Sequence, residues 1–280
     1  MNYPGLNDLI TRALQEDIGH QDITTANLVS PSLKAKGIFL VKSSGILAGL
    51  EVSRAVFGLL DPDIVFTALK SDGEKLEPGD RIAIVEGAAT TLLTGERTAL
   101  NFMQRLSGIA SKTYHMAEII KPYKAQLVDT RKTTPGLRFL EKYAVKIGGG
   151  RNHRLGLFDG VIIKDNHIMA AGGIIPAVKK VRSLIPLTVK IEVEVENLEQ
   201  LKEALEAGAD IIMLDNMDTD TMRRAVLITN GKALLEASGG INENTIAAVA
   251  QTGVDFISSG ALTHSAVSLD ISFDIIEVWN

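Results

Sequence analysis

Eight basic side chains fall between Arg131 and Lys164, at positions 131, 132, 138, 142, 146, 151, 154 and 164, against two acids, Glu141 and Asp159. That segment carries +6, so the rest of this 280-residue chain, −5 in all, carries −11. A cationic island in an acidic protein suits a pocket for a small polyanion and argues against bulk nucleic-acid binding. Part of the island has a plainer explanation. Arg138, Lys142 and Lys146 recur every four residues and predict one solvated helix stripe. Arg131, Lys132, Arg154 and Lys164 stand instead beside expected strand ends and turns. Together with His153 they supply forked and point charges for carboxylate or phosphate oxygens.

Two carboxylates and two glycine loops add complementary chemistry. Glu194 and Asp215 are expected at the ends of neighbouring strands, where hard oxygens could converge on one Mg²⁺ carried in with substrate phosphates. In the run Thr188–Val195, Lys190, Glu192 and Glu194 share one face; a Lys190–Glu192 pair is the structural expectation, with Glu194 left for function. Ser238-Gly239-Gly240-Ile241 and Ser258-Ser259-Gly260-Ala261 each follow a strand and precede a helical pattern. Such loops let a phosphate approach the backbone and the N–H groups at a helix start. One loop alone is as well explained by an ordinary turn; two side by side favour phosphate. His20, His115 and His167 lack metal-ligand spacing and are expected to be structural or surface residues.

The elements that must position these groups fall into two regimes. The chain to about residue 105 opens with a helix, Leu6–Glu16, and continues in short β-type runs at Lys36–Val41, Ile64–Ala68 and Arg81–Val85. A helical pattern follows over Thr94–Leu106. No lysine stands at a hairpin tip between matched strands here, which disfavours a swinging-arm carrier domain. Beyond it, short apolar strands alternate with helices: Gln126–Asp129, Gly160–Asp165, Thr188–Val195, Asp210–Asp215, Ala233–Ser238 and Asp255–Gly260. Gly208-Ala209-Asp210 and Gly253-Val254-Asp255 each close a helix and open a strand, the recurrence expected of β/α units. Thr134-Pro135 is expected to open a helix that ends in the glycines 148–150. Each strand ends in polar residues, and in parallel α/β barrels active sites lie at those C-terminal ends. The tail Val267–Trp279 alternates as a strand and is expected to return to the first region.

Composition narrows the setting. No apolar run reaches the roughly 18 residues of a membrane helix, and the N-terminus shows no signal-peptide pattern. The chain has no cysteine, which removes disulfides, thiolate metal sites and cysteine nucleophiles; a cytoplasmic protein is the default expectation.

Longer words of sequence carry a family resemblance. They include Glu16-Asp17-Ile18-Gly19 with Asp22-Ile23-Thr24-Thr25, Gly95-Glu96-Arg97-Thr98-Ala99-Leu100-Asn101 and Asp129-Thr130-Arg131-Lys132-Thr133-Thr134-Pro135-Gly136-Leu137-Arg138. They continue in Gly148–Arg154, Ile163-Lys164-Asp165-Asn166-His167 and Glu192-Val193-Glu194-Val195. In order from about residue 8 to the end, the chain resembles the quinolinate phosphoribosyltransferases. The resemblance implies an α/β fold: an N-terminal α/β sandwich domain (1–107, rejoined by 267–280) and an incomplete parallel α/β barrel (108–266). It also implies at least a homodimer with shared sites. Arg131, His153, Arg154 and Lys164 would grip the quinolinate carboxylates, with Arg97 joining from the partner subunit. Lys132 would meet the pyrophosphate and Glu194 and Asp215 the Mg²⁺ and ribose. Ser238, Gly239, Gly240, Ser259, Gly260 and His264 would meet the 5′-phosphate. Lys164, Glu194 and Asp215 would be the catalytic groups.

The implied reaction joins quinolinate to phosphoribosyl pyrophosphate with loss of CO₂ and needs no organic cofactor. Alternatives are nicotinate phosphoribosyltransferase or a molybdenum-associated homologue on the same fold, and a non-catalytic phosphometabolite sensor. Nicotinate has one carboxylate, so the full Arg/His/Lys cluster favours the dicarboxylate.

Overall fold

A computed structural model describes residues 4–280. In chain order the elements are α1 (Leu6–Ile18), α2 (Ile23–Leu28), β1 (Lys34–Val41), β2 (Gly45–Ile46), α3 (Leu50–Leu60), β3 (Val65–Ala68), β4 (Lys75–Leu76) and β5 (Arg81–Ala88). Next come α4 (Ala89–Ile120), β6 (Gln126–Val128), α5 (Arg138–Ile147), β7 (Val161–Ile163), α6 (Asp165–Ala171), α7 (Ile174–Arg182), β8 (Ile191–Val195) and α8 (Leu198–Glu206). The chain closes with β9 (Ile211–Asp215), α9 (Thr219–Thr229), β10 (Leu234–Ser238), α10 (Ile246–Ala250), β11 (Phe256–Ser258), α11 (Ala261–His264) and β12 (Ile271–Trp279). They form two compact units. One holds the chain up to Lys112 with Pro135–Gly148 and Ala266–Asn280; the other holds Thr113–Thr134 and Gly149–Ser265. No helix among the described residues is long and apolar enough to cross a membrane.

The first unit contains an antiparallel sheet in the order β12-β1-β5-β3. The tail pairs along β1 from Lys34↔Trp279 to Val41↔Ile271. Its register shifts at Lys36/Gly37, and the Phe273 ring lies over Gly37, where a Cβ would be 2.1 Å from it. That ring stacks edge-on against Phe39 at 4.8 Å and neighbours Phe57, making an aromatic core. Asp22 caps α2 by accepting from the Thr25 N–H at 2.9 Å and also takes the Thr94 hydroxyl. The hydrogen bonds from Thr25 hold its carboxyl below the usual range.

Helix α4 runs far beyond the expected Thr94–Leu106. Past Leu106 its serines turn inward: Ala48 N–H donates to the Ser107 hydroxyl and Ile46 N–H to that of Ser111. Helix α5 starts at Arg138, not at Pro135, because Gly136 (φ 81°) adopts a left-handed turn that cannot continue a helix. The expected solvated stripe holds at Lys146, which is exposed, but not at Lys142. Lys142 is buried, and the neighbouring Glu141, fully buried, takes a forked bond from Arg105 at 2.8 and 3.1 Å.

The second unit is an incomplete parallel barrel, its six strands ordered β6-β11-β10-β9-β8-β7. All six expected strands are present, each at or within the expected limits. The recurring Gly-x-Asp words have a structural cause. Asp210 accepts the Ile191 N–H at 2.8 Å and Asp255 the Leu235 N–H at 2.9 Å, so each fixes the start of the adjacent strand. Between β6 and β7 the sheet does not close. Arg151 lies there in a single parallel bridge to Val128, donating its N–H to Leu127 O (2.8 Å) and accepting from Asp129 N–H (3.1 Å).

Candidate active site

The C-terminal ends of the barrel strands surround a cavity of about 620 Å³. Arg131 and Lys132 enter from the turn after β6, where Lys132 N–H is held by the Thr130 hydroxyl at 3.0 Å. His153 and Arg154 enter from the seam and Lys164 from the end of β7. Glu194, Asp215 and the loop Ser238-Gly239-Gly240 complete the wall from β8, β9 and β10. One side of the cavity is thus cationic and the other carries carboxylates and glycine backbone. The Lys164 ammonium is ion-paired with Glu194 across it.

The seam residues are fixed by polar contacts within the protein. Asp129, fully buried, accepts the His153 N–H at 2.9 Å and the Asn152 amide at 2.6 Å. Arg154 donates to Gly160 O at 2.9 Å, and Asp159 clamps that loop by accepting from the Leu155 and Gly156 N–H groups. Burial, and then the charge of Arg131, pull the Arg154 guanidinium below its usual range. Both ring nitrogens of His153 are engaged within the protein. Nε2 faces Glu192 (3.0 Å) and Glu236 (3.3 Å), while Nδ1 accepts the Arg154 N–H at 2.7 Å.

The sequence of this chain matches the family described as quinolinate phosphoribosyl transferase over both its parts, the N-terminal domain at residues 22–107 and the C-terminal domain at 109–274. The chain belongs to the quinolinate phosphoribosyltransferase family. A Bacillus subtilis protein named probable nicotinate-nucleotide pyrophosphorylase (carboxylating) is 47% identical over 98% of this chain and 95% of its own. The solved NadC from Streptococcus pyogenes is 41% identical, with a TM-score of 0.94 over 99% of this chain and 100% of that one. A solved nicotinate-nucleotide pyrophosphorylase from Francisella tularensis is 44% identical, with a TM-score of 0.93 over 98% of each chain.

Within this phosphoribosyltransferase fold, the structure gathers Arg131, Lys132, His153, Arg154, Lys164, Glu194, Asp215, Ser238, Gly239 and Gly240 around one cavity. Arg97 is exposed on α4 in the first unit and is not among the lining residues. Ser259 is buried and donates to Ile241 O at 2.9 Å, tying the two loops together; Ser258, one residue earlier, is the serine that lines the cavity. Gly260 abuts Lys132, since a Cβ there would lie 2.8 Å from its Cδ, and His264 stands beside Gly260 with Nδ1 on the Ser265 hydroxyl. The glycines 239–240 do not open a helix directly: α10 begins at Ile246, and α11 is a single turn. His167 caps its own helix by accepting the Lys164 N–H at 3.1 Å, and His20 and His115 are exposed. Glu192 is held by His153 instead of Lys190, which is exposed. Glu236 was legible only as the residue two before Ser238, on the same inward face.

Proposed function

We propose that this protein transfers the phosphoribosyl group of phosphoribosyl pyrophosphate to quinolinate and decarboxylates it. The products are nicotinate mononucleotide, CO₂ and pyrophosphate, a step of de novo NAD synthesis. The observation that carries this is one cavity in which four Lys/Arg side chains face Glu194, Asp215 and a Ser-Gly-Gly loop, on a chain of this family. Arg131, Arg154 and Lys164 are the cations for the two ring carboxylates, and Lys132 is the one for pyrophosphate oxygens.

The pyridine nitrogen forms a bond to the anomeric carbon as the carbon–oxygen bond to pyrophosphate breaks, its electron pair leaving with that group. The positive charge developing on the ribose is stabilised by the nearby Glu194 and Asp215 carboxylates. Loss of CO₂ then leaves an electron pair on the carbon next to the positive ring nitrogen, and that carbon takes a proton. Lys164 places a further positive charge beside it.

Glu194 and Asp215 offer the hard oxygens that Mg²⁺ prefers. Asp215 has one oxygen on the Asn216 amide at 2.7 Å, and Glu194 is balanced by Lys164, so each keeps an oxygen for a cation. When bound, Mg²⁺ supplies charge neutralisation to the pyrophosphate. The test feeds quinolinate, or nicotinate, with phosphoribosyl pyrophosphate and Mg²⁺. CO₂ and nicotinate mononucleotide are expected from quinolinate alone, and absence of CO₂ from quinolinate would falsify the assignment.

The working assembly is at least a homodimer in which Arg97 completes the partner's cavity. Its exposure on α4 supports this. Mixing inactive Arg97→Ala and Lys164→Ala subunits is expected to restore part of the activity, because a mixed dimer keeps one intact site. No recovery after verified subunit exchange would place Arg97 elsewhere.

A further inference from the structure

A closed barrel fills its interior with layers of side chains. This one is open between β6 and β7, and a second cavity lies at the starts of its strands. Its volume of about 390 Å³ falls in the range of about 300–1,000 Å³ that small-molecule sites occupy. Val161, Ile211, Leu234 and Phe256, the first residues of β7, β9, β10 and β11, give it apolar walls.

The two ends of this lower cavity differ in charge. Glu192 and Glu236, each only 2% exposed, line the inner end, and Oε1 of each has no hydrogen-bond partner among the described residues. Arg151 and Lys190, both exposed, line the outer end.

The inner end is short of positive charge. The Oε2 atoms of Glu192 and Glu236 share His153 Nε2, at 3.0 and 3.3 Å. Burial works against a charge on that ring and the carboxylates work for it. The geometry decides between them. Nδ1 accepts the Arg154 N–H at 2.7 Å, so it carries no proton, and the ring with its one proton on Nε2 is neutral. One N–H is thus divided between two buried carboxylates. Arg154 offsets part of their charge, but its guanidinium is committed to Gly160 O. A buried carboxylate without a counter-charge is costly, and a cation arriving through the cavity would supply one.

We propose that the lower cavity is a second small-molecule site, for a zwitterion with an apolar body. Its cationic N–H head meets Glu192 and Glu236, its body lies along Ile211, Leu234 and Phe256, and its anionic end meets Arg151 and Lys190. A forked amidinium is the head that best matches two carboxylates. The charged ends set the selection. A ligand with only positive charge meets two cations on entry, and one with only negative charge meets two carboxylates at the inner end.

The test titrates the full-length protein near neutral pH with para-amidinobenzoate, by isothermal calorimetry. A Kd of about 1 mM or tighter is expected for a probe of about a dozen non-hydrogen atoms. Benzoate, which lacks the cation, should bind at least about tenfold more weakly, the scale of one hydrogen bond to a charged group. Glu192→Gln should weaken the probe by about the same factor. Lys190→Ala, at an exposed position where folding is not at stake, should weaken it about threefold. Arg131→Ala borders the upper cavity alone and should leave the Kd within about twofold of wild type.

Should Glu192→Gln not fold, the benzoate comparison on wild type and the Lys190→Ala titration decide. No binding of the probe at about 10 mM would mean that the two carboxylates share a proton instead of awaiting a cation, and would overturn the proposal. So would benzoate binding as tightly as the probe. A loss at Arg131→Ala with none at Lys190→Ala would seat the probe in the upper cavity, which also overturns it.

Discussion

Replacing Lys164 by alanine is expected to lower kcat/KM for quinolinate by about 10²–10³-fold, the scale of removing one preorganised charge from a water-poor site. Two effects add. The cation beside the departing carboxylate is lost, and Glu194, which the ammonium neutralises, is left as a bare carboxylate facing an incoming dianion. Stability should hardly change, because the lysine side chain is 44% exposed and a pair of that kind contributes about 0–1 kcal/mol. Arginine should rescue only part of the loss, since a planar fork does not replace a point charge at the end of β7. Steady-state kinetics paired with thermal unfolding checks this. Activity within threefold of wild type would remove Lys164 from the catalytic groups.

Gly239→Ala is expected to raise KM for phosphoribosyl pyrophosphate by about tenfold or more, whereas Gly240→Ala should be much milder. Both glycines have positive φ, 99° and 62°, where a side chain costs about 1–2 kcal/mol. They differ in space. A Cβ on Gly239 would lie 2.1 Å from Asn216 Oδ1 and 3.0 Å from its backbone nitrogen, while a Cβ on Gly240 meets nothing within 4 Å. Asn216 cannot simply step aside. It is itself left-handed (φ 53°), its N–H binds Ser238 O at 2.9 Å, and its amide holds Asp215. Pushing it therefore displaces the end of β9 together with the glycine loop. Equal and near-normal KM values for the two variants would show that this loop does not contact the phosphoribosyl donor.

The strands of the barrel were legible because buried parallel strands are short apolar runs whose polar ends stand out, as at Lys164, Glu194 and Asp215. What was misjudged depended on direction or on distant partners. Ser258 and Ser259 are adjacent, and a one-residue difference in a strand turns a side chain from the cavity to the wall. Glu192 looked like a partner for Lys190 because both lie on one strand; its actual partner, His153, is 39 positions away in sequence and reaches it only through the fold. Lys142 has the spacing of a solvated stripe, and nothing local announces that it is buried while Lys146 on the same stripe is exposed. The helical pattern was followed only to Leu106, because the partners of Ser107 and Ser111 beyond it, at Ala48 and Ile46, are supplied by another part of the chain.

The bridge between Val128 and Arg151 also bears on how such a protein can change over time. Loops at the mouth of a barrel ordinarily lengthen and shorten freely, and new specificities arise that way. Here the stretch that presents His153 and Arg154 is stitched by its own backbone to Leu127 and Asp129, in the place where a further strand would run. An insertion beside Arg151 would unpick the edge of the sheet along with the pocket. Variation at this edge is therefore confined to exchanging one side chain for another on a track of fixed length.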